Sequence, residues 1–138
     1  MLSLLSHAKN RDFTVIFVIQ VNSAPYQNQS AYTALQFCRA VLQQQHQIKR
    51  VFFYHDGIYN AFASAEAATG QYDIITGWTH LATAHQIDLL VCISAARLRG
   101  LTASNDAHST LLADGFRIGG LGEMAEAMIE ADRVLSFQ

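Results

Sequence analysis

Of the 138 residues only two are cysteine and one is proline. Cys38 and Cys92 lie far apart, with no CxxC and no histidine or cysteine at zinc-finger spacing, so neither a disulfide scaffold nor a structural zinc site is expected. Charge is scarce too, at 14% of residues, and the nine lysines and arginines are scattered among eleven acids. A net charge of -2 without a basic stripe argues against direct nucleic-acid binding, which depends on neutralising phosphates. Long apolar runs are missing as well, since no segment approaches the ~18 uncharged apolar residues of a membrane span. The opening MLSLLSHAKNR puts a short apolar start before its positive charge, the reverse of a secretory signal, and this points to the cytoplasm.

What remains is apolar: 51% of the chain is hydrophobic. A chain of this size fits one domain and can bury roughly two thirds of its unfolded surface. So little charge leaves an apolar surface, as is common in a subunit with partners. There is no internal repeat and no composition shift that would mark a boundary. Residues 1–12 are expected to form a flexible extension and 13–138 a single domain.

The run FTVIFVIQV, Phe13 to Val21, is β-branched and aromatic without polar alternation, the pattern of a strand buried on both faces of a parallel sheet. After a loop, NSAPYQNQ, Ser30 is a candidate cap for a helix reaching about Gln45. On that helix Ala31, Ala34, Leu35, Cys38, Val41 and Leu42 share one stripe, which makes Cys38 an inert core residue. A second strand runs from Ile48 to Tyr54 and ends in the turn residues His55-Asp56-Gly57. A helix follows from about Asp73 to His85, weakened by up to about 1 kcal/mol at Gly77, with His80 and His85 on its solvated side.

DLLVCI, Asp88 to Ile93, is the third strand, and Ser94 offers an N-cap to the short helix AARLR, which Gly100 stops. A polar loop, LTASNDAHSTLLADG, leads to a strand at Phe116 to Ile118, a glycine turn, a helix from Glu123 to Ala131 and a last strand at Arg133 to Phe137. Five alternations of strand and helix predict an α/β fold: an open, mostly parallel five-stranded sheet with helices on both faces.

Open parallel sheets build their sites where loops leave the carboxyl ends of the strands. Among the loops that qualify, only the Cys92-Ile93-Ser94 turn carries a strong nucleophile. The short helix that follows directs its positive end at the sulfur, and Arg97 sits one turn in, so the surroundings favour a thiolate. Equally, Cys92 fits a well-packed core position, since free cysteine is among the most buried residues. Residue type and position alone leave these two readings open. Tyr54, His55 and Tyr59, after the second strand, are candidates to line the approach.

Three stretches decide between them: VFFYHDGIYNA (51–61), LLVCISAARLRG (89–100) and GFRIGGLGEMAEAMIEADRVLSF (115–137). Together they resemble the TusD/DsrE family of sulfur-relay proteins, and the similarity runs from about Phe13 to Phe137. The resemblance implies a DsrE-like fold with flavodoxin-like layering. It also implies a sulfurtransferase whose active cysteine falls on Cys92 and carries sulfane sulfur as a persulfide, in the relay for tRNA 2-thiouridine synthesis. The implied partners are an upstream persulfide donor, TusB-like and TusC-like subunits in a heterohexamer, and a TusE-like acceptor. No metal or organic cofactor is implied. In this scheme Ser94 and Arg97 stabilise the anion. The first loop departs from the family pattern, reading Ala24-Pro25-Tyr26-Gln27 where glycines are expected. Rival readings are DsrE-type trafficking in sulfur oxidation, a flavodoxin-like module for a flavin or nucleotide, and a scaffold with an incidental cysteine.

Overall fold

The structure, a computed structural model, describes residues 13–100 and 111–138. The expected amino-terminal extension and the first ten residues of the expected loop LTASNDAHSTLLADG lie outside the described residues. Five strands form one sheet: β1 (Ile16–Val21), β2 (Gln47–Phe53), β3 (Leu89–Cys92), β4 (Phe116–Gly119) and β5 (Arg133–Phe137). They lie in the order β4-β3-β2-β1-β5, and every pairing is parallel. Between them run α1 (Ser30–Gln43), a 3-10 helix (His55–Ala61), α2 (Ile74–His85), α3 (Ile93–Leu98) and α4 (Leu121–Glu130).

The chain steps from β1 to β4 in one direction and then returns past β1 to place β5. Right-handed crossovers put α1, α2 and α3 on one face under this order and send α4 to the other. Side-chain alternation agrees. Phe53 meets Trp78 of α2 edge-on, with centroids 5.1 Å apart, while Arg50, of opposite parity, donates to the Glu123 carbonyl of α4 at 2.6 Å. The expected strands and helices are therefore all present, on both faces of the sheet.

Their ends shift for physical reasons. Ser30 is the first helical residue of α1 and not its cap; Gln29 holds that place, and Asn28 Oδ1 accepts the Ser30 amide at 2.8 Å. Asp73 does cap α2, accepting from the Thr76 amide at 3.1 Å. Helix α4 begins two residues earlier than Glu123, whose carboxylate reaches back to the Gly120 amide at 3.3 Å.

Gly77 has a packing reason that outweighs its weak helix propensity. A Cβ there would lie 2.5 Å from Leu35 Cδ2 and 3.1 Å from the Tyr72 hydroxyl, so glycine lets α1 and α2 approach. Gly77→Ala gains up to about 1 kcal/mol of helix propensity but forces fully buried Leu35 to move, which typically costs about 1–3 kcal/mol. A net loss of about 1 kcal/mol is expected in urea denaturation; a stabilised variant would show that the helices part freely.

At the opposite, amino end of β3, Asp88 accepts from Arg117 Nε at 2.7 Å and from Arg117 Nη2 at 2.9 Å, and pairs with Arg50. Arg117 also pairs with Glu123 at 2.8 Å, which ties the α4 start to the sheet. Burial pushes the Asp88 carboxyl up, but the hydrogen bonds and charges of the two arginines outweigh it and hold it below its ordinary value. Its stabilising contribution is thus fully present above the unfolded carboxyl pKa of about 3.9 and disappears as pH falls through the lower folded value. Asp88→Asn is expected to cost about 1–2 kcal/mol at pH 7, with a smaller deficit at pH 3, below the unfolded carboxyl pKa. Parallel denaturation series of variant and parent at the two pH values measure the difference.

Candidate active site at the carboxyl edge of the sheet

Four chain segments converge where the central strands end. β1 leads into the loop 22–29, β2 into Tyr54 and the 3-10 helix, β3 into α3, and β4 into the Gly119-Gly120 turn. Cys92 is the last residue of β3, in register with Gly119 of β4, and it is also the N-cap position of α3. Strand runs into helix there with no linker. The preceding pair, Phe53 with Val91, brings Tyr54 to the level of Cys92 on the neighbouring strand.

Cys92 is fully buried within the chain, at 0% exposure. Alternation places its side chain on the parity of Leu90, the α4 face. Ser94 does not cap α3: the helix starts at Ile93, and Ser94 is an exposed residue of its first turn. Arg97 is exposed in the last turn. Arg99, two residues on, donates through Nε to Asp56 Oδ1 at 2.8 Å and through Nη1 to the Ala95 carbonyl at 3.1 Å. It joins the end of α3 to the segment after β2.

That segment is a 3-10 helix, which takes in the expected turn residues His55-Asp56-Gly57. Tyr54 stacks on Phe52, with centroids 5.9 Å apart, and against His55 at 4.1 Å. His55 is exposed and adopts a left-handed backbone, φ +51°, uncommon for a residue with a Cβ. Tyr59 is half-buried against Phe62, edge-on at 5.1 Å. Tyr54 and His55 therefore border the cysteine's edge, whereas Tyr59 is turned into packing of its own.

Asn60 is the organising residue that its sequence setting concealed. Wholly buried, it donates through Nδ2 to the Ser23 carbonyl (3.0 Å) and the Gly57 carbonyl (2.9 Å), and accepts from Trp78 Nε1 at 3.1 Å. One amide thus fastens the β1 loop, the 3-10 helix and α2 together. A lone asparagine in an alanine-rich stretch carries no pattern that announces this.

The other cysteine and the first loop contribute differently. Cys38 is fully buried on α1, and desolvation pushes its thiol up to about 12, so it stays protonated. In the first loop the Ser23 hydroxyl faces Asn28 Nδ2 at 3.5 Å and the Ser30 hydroxyl donates to the Gln138 carbonyl, so both are engaged within the chain. A cleft of about 420 Å³ opens beside this loop, walled by Tyr26, Tyr32 and Tyr72, and a second of about 670 Å³ lies by Glu66, Asp73 and Asp114. Cys92 lines neither.

The fold is thus an open parallel sheet with a cysteine where its third strand becomes a helix. Comparison with known proteins gives the family. The DsrE/DsrF-like family model matches residues 15–137, and the chain belongs to that family. It is 39% identical over 126 residues to DsrE of Allochromatium vinosum, covering 88% of this chain and 97% of that protein. The sulfurtransferase TusD of Salmonella newport is also 39% identical over 126 residues, covering 88% and 98%. In three dimensions it is similar to the crystal structure of the ychN protein from E. coli, with a TM-score of 0.75 and 28% identity over 91% of this chain and all of that one. The chain is thus a DsrE-type protein whose near relatives carry the name sulfurtransferase.

Proposed function

We propose that the protein is a persulfide-relay sulfurtransferase that works through Cys92. The observation that carries this reading is the position of Cys92 at the carboxyl end of a central parallel strand, in a chain of the DsrE/DsrF-like family. The Cys92 thiolate attacks the outer sulfur of a donor persulfide, R–S–SH. A bond forms between Cys92 Sγ and that sulfur, the donor S–S bond breaks, and R–S⁻ leaves while Cys92–S–SH remains. An acceptor thiolate then takes the terminal sulfur in the same manner. Oxidation states balance, and exchange of this kind needs an attacking thiolate, a leaving thiolate and access, with little acid-base machinery. Tyr54 and His55 border the approach, and Ser94 and Arg97 present polar atoms to an arriving partner from the exposed side of α3.

The relay to tRNA 2-thiouridine is the destination favoured by likeness to TusD, and sulfur oxidation by likeness to DsrE. Both require companions, here a persulfide donor, TusB-like and TusC-like subunits and a TusE-like acceptor. An unpartnered apolar side of α4 supports association: Leu121 is 51% exposed, Met128 44% and Ile129 85%. Among the described residues no helix is long and apolar enough to cross a membrane. A cytoplasmic relay is the setting we propose. The test is to incubate the protein with a cysteine desulfurase, cysteine and an upstream carrier, and weigh it. An adduct of about 32 Da, one sulfur, on the Cys92 peptide is expected; an adduct that maps elsewhere overturns the reading. Companions that co-purify from the native host separate the two destinations.

A further inference from the structure

A thiol that exchanges sulfur has to meet its partner's sulfur, yet Cys92 has no exposed surface in the chain. Gly119 of β4 flanks it on one side and its side chain points to the α4 face, while two further segments lie beside it: α3, whose N-cap it is, and the exit of β2 at Tyr54, which lies level with it on the next strand. One ion pair joins those segments. Arg99 at the end of α3 holds Asp56 in the first turn of the 3-10 helix, and its second nitrogen on the Ala95 carbonyl fixes the guanidinium to α3 itself.

We infer that the Arg99–Asp56 pair is a clamp that sets access to Cys92, its opening letting α3 and the Tyr54–His55 segment part. Both residues are positioning residues and act on the thiol only through the backbone they hold. This inference rests on Cys92 being the reacting group, but it concerns access and not sulfur chemistry.

The energetics suit a clamp that opens readily. The Asp56 side chain is 51% exposed and that of Arg99 20%, so the pair sits where water and salt weaken it. Its release shifts an opening equilibrium by a modest factor and leaves the fold standing, because the two segments are anchored independently by Ala95, Ala96 and Ile58, all buried in the core. A partner that brings its own carboxylate to Arg99, or its own cation to Asp56, opens the site by exchanging one pair for another.

The two cysteines supply an internal reference, because Cys38 is equally buried but lies on α1 with no connection to the clamp. The experiment is iodoacetamide labelling of the full chain under native conditions, with the rate at each cysteine read by peptide mass. Asp56→Asn and Arg99→Gln are each expected to raise the Cys92 rate about two- to fivefold, the double variant no further, and Cys38 not at all. The exchanged pair Asp56→Arg with Arg99→Asp restores the slow rate, and high salt brings the parent chain toward the variants. An unchanged Cys92 rate, a parallel rise at Cys38, or effects that multiply in the double variant overturns the clamp. Should the variants label faster while the parent never gains sulfur, the clamp stands and the relay reading falls.

Discussion

Cys92→Ser is expected to lower sulfur loading by at least about a hundredfold, whereas Cys38→Ser should leave it within about twofold of the parent. The exchange requires an anionic sulfur, and a serine hydroxyl neither ionises near neutral pH nor forms a stable bond to sulfane sulfur. Serine is close in size to cysteine, so the substitution tests chemistry without opening a cavity. The contrast with Cys38 follows from its surroundings. With its thiol pushed up to about 12 by burial, Cys38 stays protonated at neutral pH in the folded chain. The measurement is intact mass after incubation with donor, followed by reduction to show that the added sulfur is removable. A sulfur adduct that survives in Cys92→Ser and disappears in Cys38→Ser would falsify the assignment.

How much of this was legible beforehand depends on the range of the forces involved. Strands buried on both faces write themselves as apolar runs, so FTVIFVIQV, IKRVFFY and DLLVCI marked β1, β2 and β3 to within a few residues. The stripe on α1 foretold which side of that helix is buried, Cys38 included. The caps were harder, because a serine caps a helix only where the preceding strand stops in time. β3 runs straight into α3, which leaves Ser94 inside the first turn. The Arg99–Asp56 pair was silent for a related reason: Arg99 is near Cys92 in sequence, but its carboxylate partner lies 43 residues away.

Close approaches are equally silent. A Cβ on Gly57 would sit 1.9 Å from the Val21 carbonyl oxygen, a contact that exists only once β1 and the 3-10 helix have met. Read locally, His55-Asp56-Gly57 is merely a turn. Read in the fold, it is the segment that borders Cys92, and glycine is what allows it to lie there.

Asn60→Ala should be among the most destabilising single changes, at about 3–5 kcal/mol, because three buried partners lose their bond together. The Ser23 and Gly57 carbonyls and the Trp78 indole N–H have their bonds to Asn60 in a region closed to water, and leaving each unmade costs about 1–3 kcal/mol before relaxation. Against a total of about 5–15 kcal/mol that is a large fraction, and the melting temperature is expected to fall by roughly 10 °C or more. Two further variants apportion the loss. Trp78→Phe keeps a ring against Phe53 but removes the bond to Oδ1 and leaves a cavity where the indole was larger, so about 2–4 kcal/mol is expected. Asn60→Asp keeps that acceptor but turns a carboxylate toward two carbonyl oxygens, which raises its folded pKa. Its deficit is therefore greatest at neutral pH and shrinks as acid protonates the group. Because the same amide fixes the 3-10 helix beside Cys92, the alanine variant should also speed Cys92 labelling, and more than either clamp variant does. A loss under about 1 kcal/mol in urea denaturation would mean that water or a shifted side chain takes the place of the amide. In that case the β1 loop, the 3-10 helix and α2 are held by their apolar contacts alone.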